Sequence, residues 1–301
     1  MSGRVAGKVR NSMLGDCHIH MVLDGILGYR EAMDRHRSGP DDAAIRKVLA
    51  QYQKAGMTFL RDGGDKFGAA ARAAVLAPEY GLTYVTPVFP IFESGRYGAF
   101  IGMGFSDLRE FRELLAEVKR QGAQFLKLML SGLVDFQEYG RLDGDPMAAE
   151  TIRELIHIGH EEGLSVMAHC NGDAPAQAAL EAGVDSLEHG YYLGQETLHQ
   201  LAESDTVWVP TVVTVGNLIH DDRYPQSVTK RILDEHLWKV GIVAGWGGNV
   251  ALGSDAGAYL VPHVQGALDE YDLLKEELGE HADSVLRTGE DMIRWKFGGL
   301  S

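Results

Sequence analysis

The feature that most constrains this chain is an alternation. Short apolar runs at residues 16–20, 58–61, 83–89, 124–130, 165–169, 185–188, 207–210 and 250–253 read as strands. Between them lie longer segments with helical periodicity, at 41–54, 107–120, 146–162, 174–182, 195–203, 226–246, 262–278 and 281–297. Asp41 and Asp107 open two of these, and Pro146 suits a first helical turn. Glycine follows the helical pattern just before a strand in Lys54-Ala55-Gly56, Glu162-Gly163 and Ala182-Gly183. Parallel strands need a crossover connection, and a helix is the usual one. Eight strands alternating with eight helical segments predict a (β/α)8 TIM barrel.

The length of 301 residues suits one such barrel, so a single catalytic domain over residues 1–301 is expected. A formal charge of −15 with no offsetting basic cluster argues against nucleic-acid binding. Only two cysteines occur, Cys17 and Cys170, so no disulfide framework is written here and a reducing cytoplasm is the expected compartment. The opening segment MSGRVAGKVRNSML has no apolar core of a signal or anchor, and no apolar run nears the roughly 18 residues of a membrane span. The partner expected is a small-molecule substrate, with a homo-oligomer an open possibility.

A parallel barrel gathers its strand ends at one mouth, whatever their separation in sequence. Metal-ligand types fall at or near those ends: His18 and His20, Lys127, His169, His189 and Asp255. His18 and His20, two apart on a strand, project from one face and can share a divalent ion; alone, they could equally be idle strand-end polar residues. Lys127 lies within the apolar run Phe125-Leu126-Lys127-Leu128-Met129-Leu130, where a stranded charge is expensive. It either pairs with Asp255 or reacts with CO2 to give a carbamate that can bridge two metals. His169 and His189 each end a strand before a glycine-containing loop, and Asp255 precedes Ala256-Gly257, where it is either a metal ligand or a turn residue. Cys17 and Cys170 should point away from the mouth as small buried hydrophobes. Long segments at 21–40, 90–106 and 131–145 follow strands and should build the substrate site.

These residues resemble the amidohydrolase superfamily, within it the imidazolonepropionase and prolidase-like group of binuclear metal hydrolases. The carriers are Asp16-Cys17-His18-Ile19-His20, Thr58-Phe59-Leu60-Arg61-Asp62-Gly63-Gly64, Phe125-Leu126-Lys127-Leu128-Met129-Leu130-Ser131-Gly132, Ala168-His169, Ser186-Leu187-Glu188-His189-Gly190-Tyr191-Tyr192-Leu193 and Leu252-Gly253-Ser254-Asp255-Ala256-Gly257. The resemblance implies two divalent ions, with Zn²⁺ the natural fit. His18, His20 and Asp255 would hold the buried ion, and His169 and His189 the exposed one. A carboxylated Lys127 would bridge them with a hydroxide that attacks the substrate carbonyl, and Asp255 would carry the proton to the leaving nitrogen. The segments before the first strand and after the last helix are short against the family's pattern, so its usual accessory β-sandwich is not expected in these 301 residues. Its loop Glu93-Ser94-Gly95-Arg96-Tyr97-Gly98 matches the family's glycine-rich segment only in part.

Candidate substrate contacts are Arg61, Arg96, Tyr191, Tyr192 and His263. Arginine would recognise a carboxylate, although Arg61 could instead close an internal ion pair with Asp62. Tyr191 or Tyr192 could bind a developing oxyanion. Trp208, Trp238, Trp246 and Trp295 should pack helices against the barrel. The expected activity is hydrolysis of an amide or cyclic amide: a dipeptide, an N-acyl amino acid or a lactam. The alternatives are a lactone, ester or phosphotriester hydrolase, a one-metal deaminase, and a non-catalytic metal-binding barrel.

Overall fold

The computed structural model describes residues 14–298, so the opening segment 1–13 lies outside the described residues. The strands are β1 (Asp16–Ile19), β2 (Phe59–Asp62), β3 (Thr83–Val85), β4 (Ile91–Glu93), β5 (Met103–Phe105), β6 (Leu126–Met129), β7 (Val166–Cys170), β8 (Ser186–His189), β9 (Val207–Val209) and β10 (Asn249–Val250). The helices are α1 (Tyr29–Asp34), α2 (Asp42–Ala55), α3 (Ala69–Leu76), α4 (Leu108–Arg120), α5 (Ala149–Glu161), α6 (Asp173–Glu181), α7 (Gln195–Glu203), α8 (Val213–Gly216), α9 (Gln226–Gly245), α10 (Gln265–Leu278) and α11 (Ala282–Phe297).

The strands pair in parallel as two arcs, β1-β2-β3 and β10-β9-β8-β7-β6-β4-β5. Backbone hydrogen bonds close the seams between them. Cys17 N donates to Leu252 O (2.9 Å) and Asp255 N to His18 O (2.7 Å) on one side; Gln124 N donates to Thr86 O (3.1 Å) on the other. The result is the expected (β/α)8 barrel, with β4 and β5 as an extension after the third strand. No β-sandwich accompanies it among the described residues.

Local sequence explains most boundaries. The Asp41 side chain accepts from Ala43 N and Ala44 N at the start of α2, which ends at Gly56 in the left-handed conformation (φ 80°). Asp107 caps α4 through Glu110 N (2.8 Å), and Glu110 returns to Ser106 N (2.7 Å). The expected strand at 83–89 stops at Val85, because Pro87 and Pro90 supply no ladder donor; the chain resumes as β4 and pairs Ile91 with Leu128. Helix α3 was not among the expected elements.

Two apolar clusters share the core. The larger lies between the barrel wall and the helices. The smaller gathers Cys17, Phe59, Val85, Met167, Val207 and neighbours from opposite walls, so it fills the barrel's interior. Helix α11 plugs the end away from the mouth: Ile293 and Phe297 join that inner cluster. Its polar groups grip residues just ahead of several strands. Gly15 N donates to Glu290 (2.8 Å), Ser165 Oγ to Lys296 O (2.7 Å), and Lys296 reaches Asp185 (3.3 Å). Both cysteines are free and buried, as their small apolar role requires.

The tryptophan expectation needs correcting. Trp208 is fully buried and donates to His189 O (2.8 Å), but Trp238, Trp246 and Trp295 are exposed; Trp246 stacks on His199 instead of on the barrel. Among the described residues no helix is long and apolar enough to cross a membrane.

Candidate metal centre

β1 brings two imidazoles to the mouth. Its register with β2 shifts between Asp16 and Ile19, an irregularity of the kind that re-aims side chains beside active sites. Asp255 follows β10 in a left-handed conformation (φ 57°), unusual for aspartate and held by its N–H bond to His18 O. Its Oδ1 lies 3.3 Å from His20 Nε2 and 3.6 Å from His18 Nε2. One donor atom each from His18, His20 and Asp255 falls within 4.8 Å of the others. Gly63 makes room, since a Cβ there would sit 2.4 Å from His20 Cε1.

His169 and His189 approach from the next wall. The His189 ring is 4.5 Å from that of His169 and 5.1 Å from that of His18. His189 also has a left-handed backbone (φ 67°). Lys127 is 1% exposed, and its Nζ has no hydrogen-bond partner among the described residues; the expected alternative of a pair with Asp255 is not formed as a hydrogen bond. His18 Nε2 is likewise buried without a hydrogen-bond partner among the described residues. Orphaned buried donors are costly and rare. A set of imidazoles, one carboxylate and one amine, with these atoms unspent, fits a divalent cation.

Burial dominates the electrostatics. It pushes His18 down to about 4, His169 to about 3 and His189 well below the ordinary histidine range, which favours the neutral imidazole at pH 7, the form a metal ligand needs. Burial also lowers Lys127 to about 8. For Asp255, burial pushes upward, but the contacts with His20 and His18 outweigh it and the carboxyl ends below its ordinary value.

Beneath the histidines lies a polar layer that sequence reasoning assigned differently. Arg61 is fully buried, and it is corrected here from substrate contact to internal brace. Its Nε donates to Cys17 O (2.7 Å), Nη1 to Ser186 (2.7 Å) and Nη2 to both oxygens of Glu188 (2.8 and 3.0 Å). It does not pair with Asp62, which accepts instead from Met21 N, Gly64 N and the Tyr84 hydroxyl. Glu188 Oε2 stands 2.7 Å from His18 Nδ1, which orients that ring so that Nε2 faces the centre. Thr211 holds His189 Nδ1 at 2.8 Å, and the buried Glu270 pins the same turn by accepting from Val212 N and Val213 N. Glu188 and Thr211 were missed. Period-two alternation could have flagged Glu188, two residues from Ser186 on an inward face.

The other substrate candidates scatter. His263 is buried with both ring nitrogens engaged, by the Tyr52 hydroxyl (3.1 Å) and Leu23 O (2.9 Å), so it is corrected to a structural residue. The Tyr191 hydroxyl meets Thr214 (3.0 Å) and its ring stacks on His236 at 3.9 Å, which removes it as a free oxyanion donor. Tyr192 turns toward the loop after β6, packing edge-on against Tyr139 at 5.6 Å. Arg96 stays at the mouth, tied to Glu93 and to Asp145 O (3.0 Å). Tyr97, its neighbour, was not singled out, yet its ring lies 5.0 Å from that of His169.

Comparison with known proteins points one way. The profile of the amidohydrolase family matches residues 14–276. An ochratoxinase of Aspergillus niger is 24% identical over 226 residues, 72% of this chain and 42% of its own length. An uncharacterised protein of Mycobacterium bovis is 28% identical over 170 residues, 54% of this chain and 45% of its own. The chain thus spans less than half the length of these curated relatives. Among solved structures, a Xaa-Pro dipeptidase with methionine in its active site superposes with a TM-score of 0.69 at 17% identity, covering 95% of this chain and 75% of that one. The A. niger ochratoxinase superposes at 0.71 and 19% identity, covering 93% and 68%. At such identities these structures speak to the fold.

Proposed function

This chain belongs to the amidohydrolase family, and from that premise we propose that it is a metal-dependent hydrolase of an amide or cyclic amide bond. Its substrates would be dipeptides, N-acyl amino acids or lactams. The observation that carries the reading is the Lys127 Nζ, buried near histidines and a carboxylate with no hydrogen-bond partner among the described residues. A residue so placed makes sense as a ligand in waiting, not as a core lysine.

In this reading His18, His20 and Asp255 would hold one divalent ion, and His169 and His189 would hold a second. Lys127, as a carbamate formed from its neutral amine and CO2 with loss of a proton, would supply a further anionic ligand. The ions would supply a Lewis acid for the carbonyl and make water a nucleophile at neutral pH. Asp255 accepts the proton of the attacking water and delivers it to the leaving nitrogen. Glu188 and Thr211, 2.7 and 2.8 Å from the Nδ1 atoms of His18 and His189, would orient the two rings with Nε2 free for an ion.

One observation favours a second reading. Only His18, His20 and Asp255 meet as a compact donor trio among the described residues, which suits a single ion and an uncarboxylated Lys127. Elemental analysis of protein produced with zinc and bicarbonate separates the two. About two ions per chain, with turnover of the amide panel, supports the binuclear hydrolase. About one ion moves the assignment to a mononuclear catalyst. No bound metal, or turnover confined to lactones and phosphotriesters, overturns the proposal.

A further inference from the structure

The mouth carries a row of aromatic rings that the metal chemistry does not use. Tyr97, in the loop after β4, sets its ring 5.0 Å from that of His169. The Phe100 ring lies 5.5 Å further along, and Tyr29 of α1, from the loop after β1, meets Phe100 edge-on at 6.3 Å. Exposure increases outward: Tyr97 and Phe100 are half-buried, and Tyr29 is 51% exposed. The Tyr97 hydroxyl has no hydrogen-bond partner among the described residues. The row is preformed. Lys66 Nζ donates to Ala99 O (2.6 Å), Gly102 N to Gly98 O (2.8 Å) and Ser94 N to Phe105 O (2.7 Å), while Arg30 Nε holds the Tyr29 hydroxyl (3.1 Å).

Half-open aromatic surface running from a polar centre to solvent is what a ligand cleft looks like: apolar walls with a few polar groups at the reacting end. A preformed wall also spares the ordering cost of binding. The neighbouring Arg96 does not redirect this wall toward an anion, because Glu93 and Asp145 O already hold its guanidinium. Resting on the amide-hydrolase reading above, we propose that Tyr97, Phe100 and Tyr29 form a substrate subsite for an aromatic or large apolar group next to the amide bond that is cleaved.

The test compares N-benzoylglycine and N-acetylphenylalanine with N-acetylglycine as substrates of the metal-loaded protein. In parallel, calorimetry compares benzamide with acetamide as ligands. The subsite predicts kcat/KM at least roughly tenfold higher for an aromatic substrate, carried mainly by KM. Phe100→Ala and Tyr29→Ala should bring that ratio down severalfold, and Phe100→Trp and Tyr29→Phe should restore it. Trp295→Ala, on the exposed face of the floor helix, should leave the ratio where it was. Turnover without aromatic preference, or a preference untouched by both alanine variants, overturns the subsite while the hydrolase reading stands. If no amide is turned over, the hydrolase reading fails and calorimetry decides the subsite alone. Benzamide binding roughly tenfold tighter than acetamide in the wild type, but not in Phe100→Ala, then keeps it. Equal affinities remove it.

Discussion

At Glu188 one carboxylate serves three groups: His18 Nδ1 at 2.7 Å on the mouth side, the Arg61 guanidinium at 2.8 and 3.0 Å below, and the Ser186 hydroxyl at 2.5 Å. Burial pushes this carboxyl up, but Arg61 and His18 outweigh that and hold it at about 2. Glu188→Gln keeps the shape and loses the charge that would make His18 a stronger ligand. Metal affinity, measured by competition with a chelator, should fall roughly 10–100-fold. Unchanged affinity would mean the contact only fills space. Arg61→Met has a different consequence, because it leaves Glu188 charged, buried and short of its main partner. Urea unfolding should show a loss of about 3–5 kcal/mol. The candidate set is legible in the sequence because its members lie on or shortly after strands of one parallel barrel, whose ends share a mouth. Arg61 is not, since its strand reads as two buried faces and nothing local says that the arginine turns inward to Glu188, 127 positions away. The same holds for His263, whose partners Tyr52 and Leu23 lie 211 and 240 positions off.

Among the elements, legibility follows the strength of local pattern. Helix α4 alternates apolar and charged residues at helical spacing between an Asp cap and a glycine, and it appears within a residue of its expected bounds. Helix α3, AAARAAVL, has small side chains on nearly every face, so it offers no amphipathic stripe to read despite high helix propensity. The role of α11 as the floor of the barrel is equally silent locally, because it arises from contacts to distant strand starts. Asp185 is one anchor of that floor. It accepts from Val166 N (2.8 Å), meets His160 Nε2 (2.8 Å) and lies 3.3 Å from Lys296. Burial pushes its carboxyl up, but these partners outweigh that and its folded value lies below the ordinary one. The stability it contributes is therefore present above the unfolded value of about 3.9 and is lost as pH falls through the lower folded value. Asp185→Asn should lower stability at pH 7 by on the order of 1–2 kcal/mol, and thermal unfolding of the two proteins should converge as pH drops below the carboxylate range. A gap that stays constant down to low pH would show that charge plays no part.

Across the whole molecule the barrel interior is stratified from floor to mouth. An apolar layer around Phe297 and Phe125 comes first, with their rings edge-on at 5.2 Å. The Arg61 guanidinium lies 4.5 Å above the Phe297 ring and forms the ion-pair layer with Glu188. The layer of histidines, Lys127 and Asp255 completes the stack. The lower two layers are satisfied internally, and the third is not, since Lys127 Nζ and His18 Nε2 have no hydrogen-bond partner among the described residues. Stability of the metal-free molecule and stability of the loaded one should therefore respond oppositely to the same substitution. Lys127→Met removes a buried amine that nothing pairs, so the metal-free protein should gain about 1–3 kcal/mol. With metal present, the wild type gains binding free energy that the variant forfeits; at a hundredfold excess over Kd that gain is about 2.7 kcal/mol. Thermal unfolding with chelator should thus rank the variant above the wild type, and unfolding with added zinc should reverse the order. A variant less stable than the wild type by the same amount under both conditions would show that Lys127 stabilises the barrel by itself, and the case for a ligand in waiting would fall.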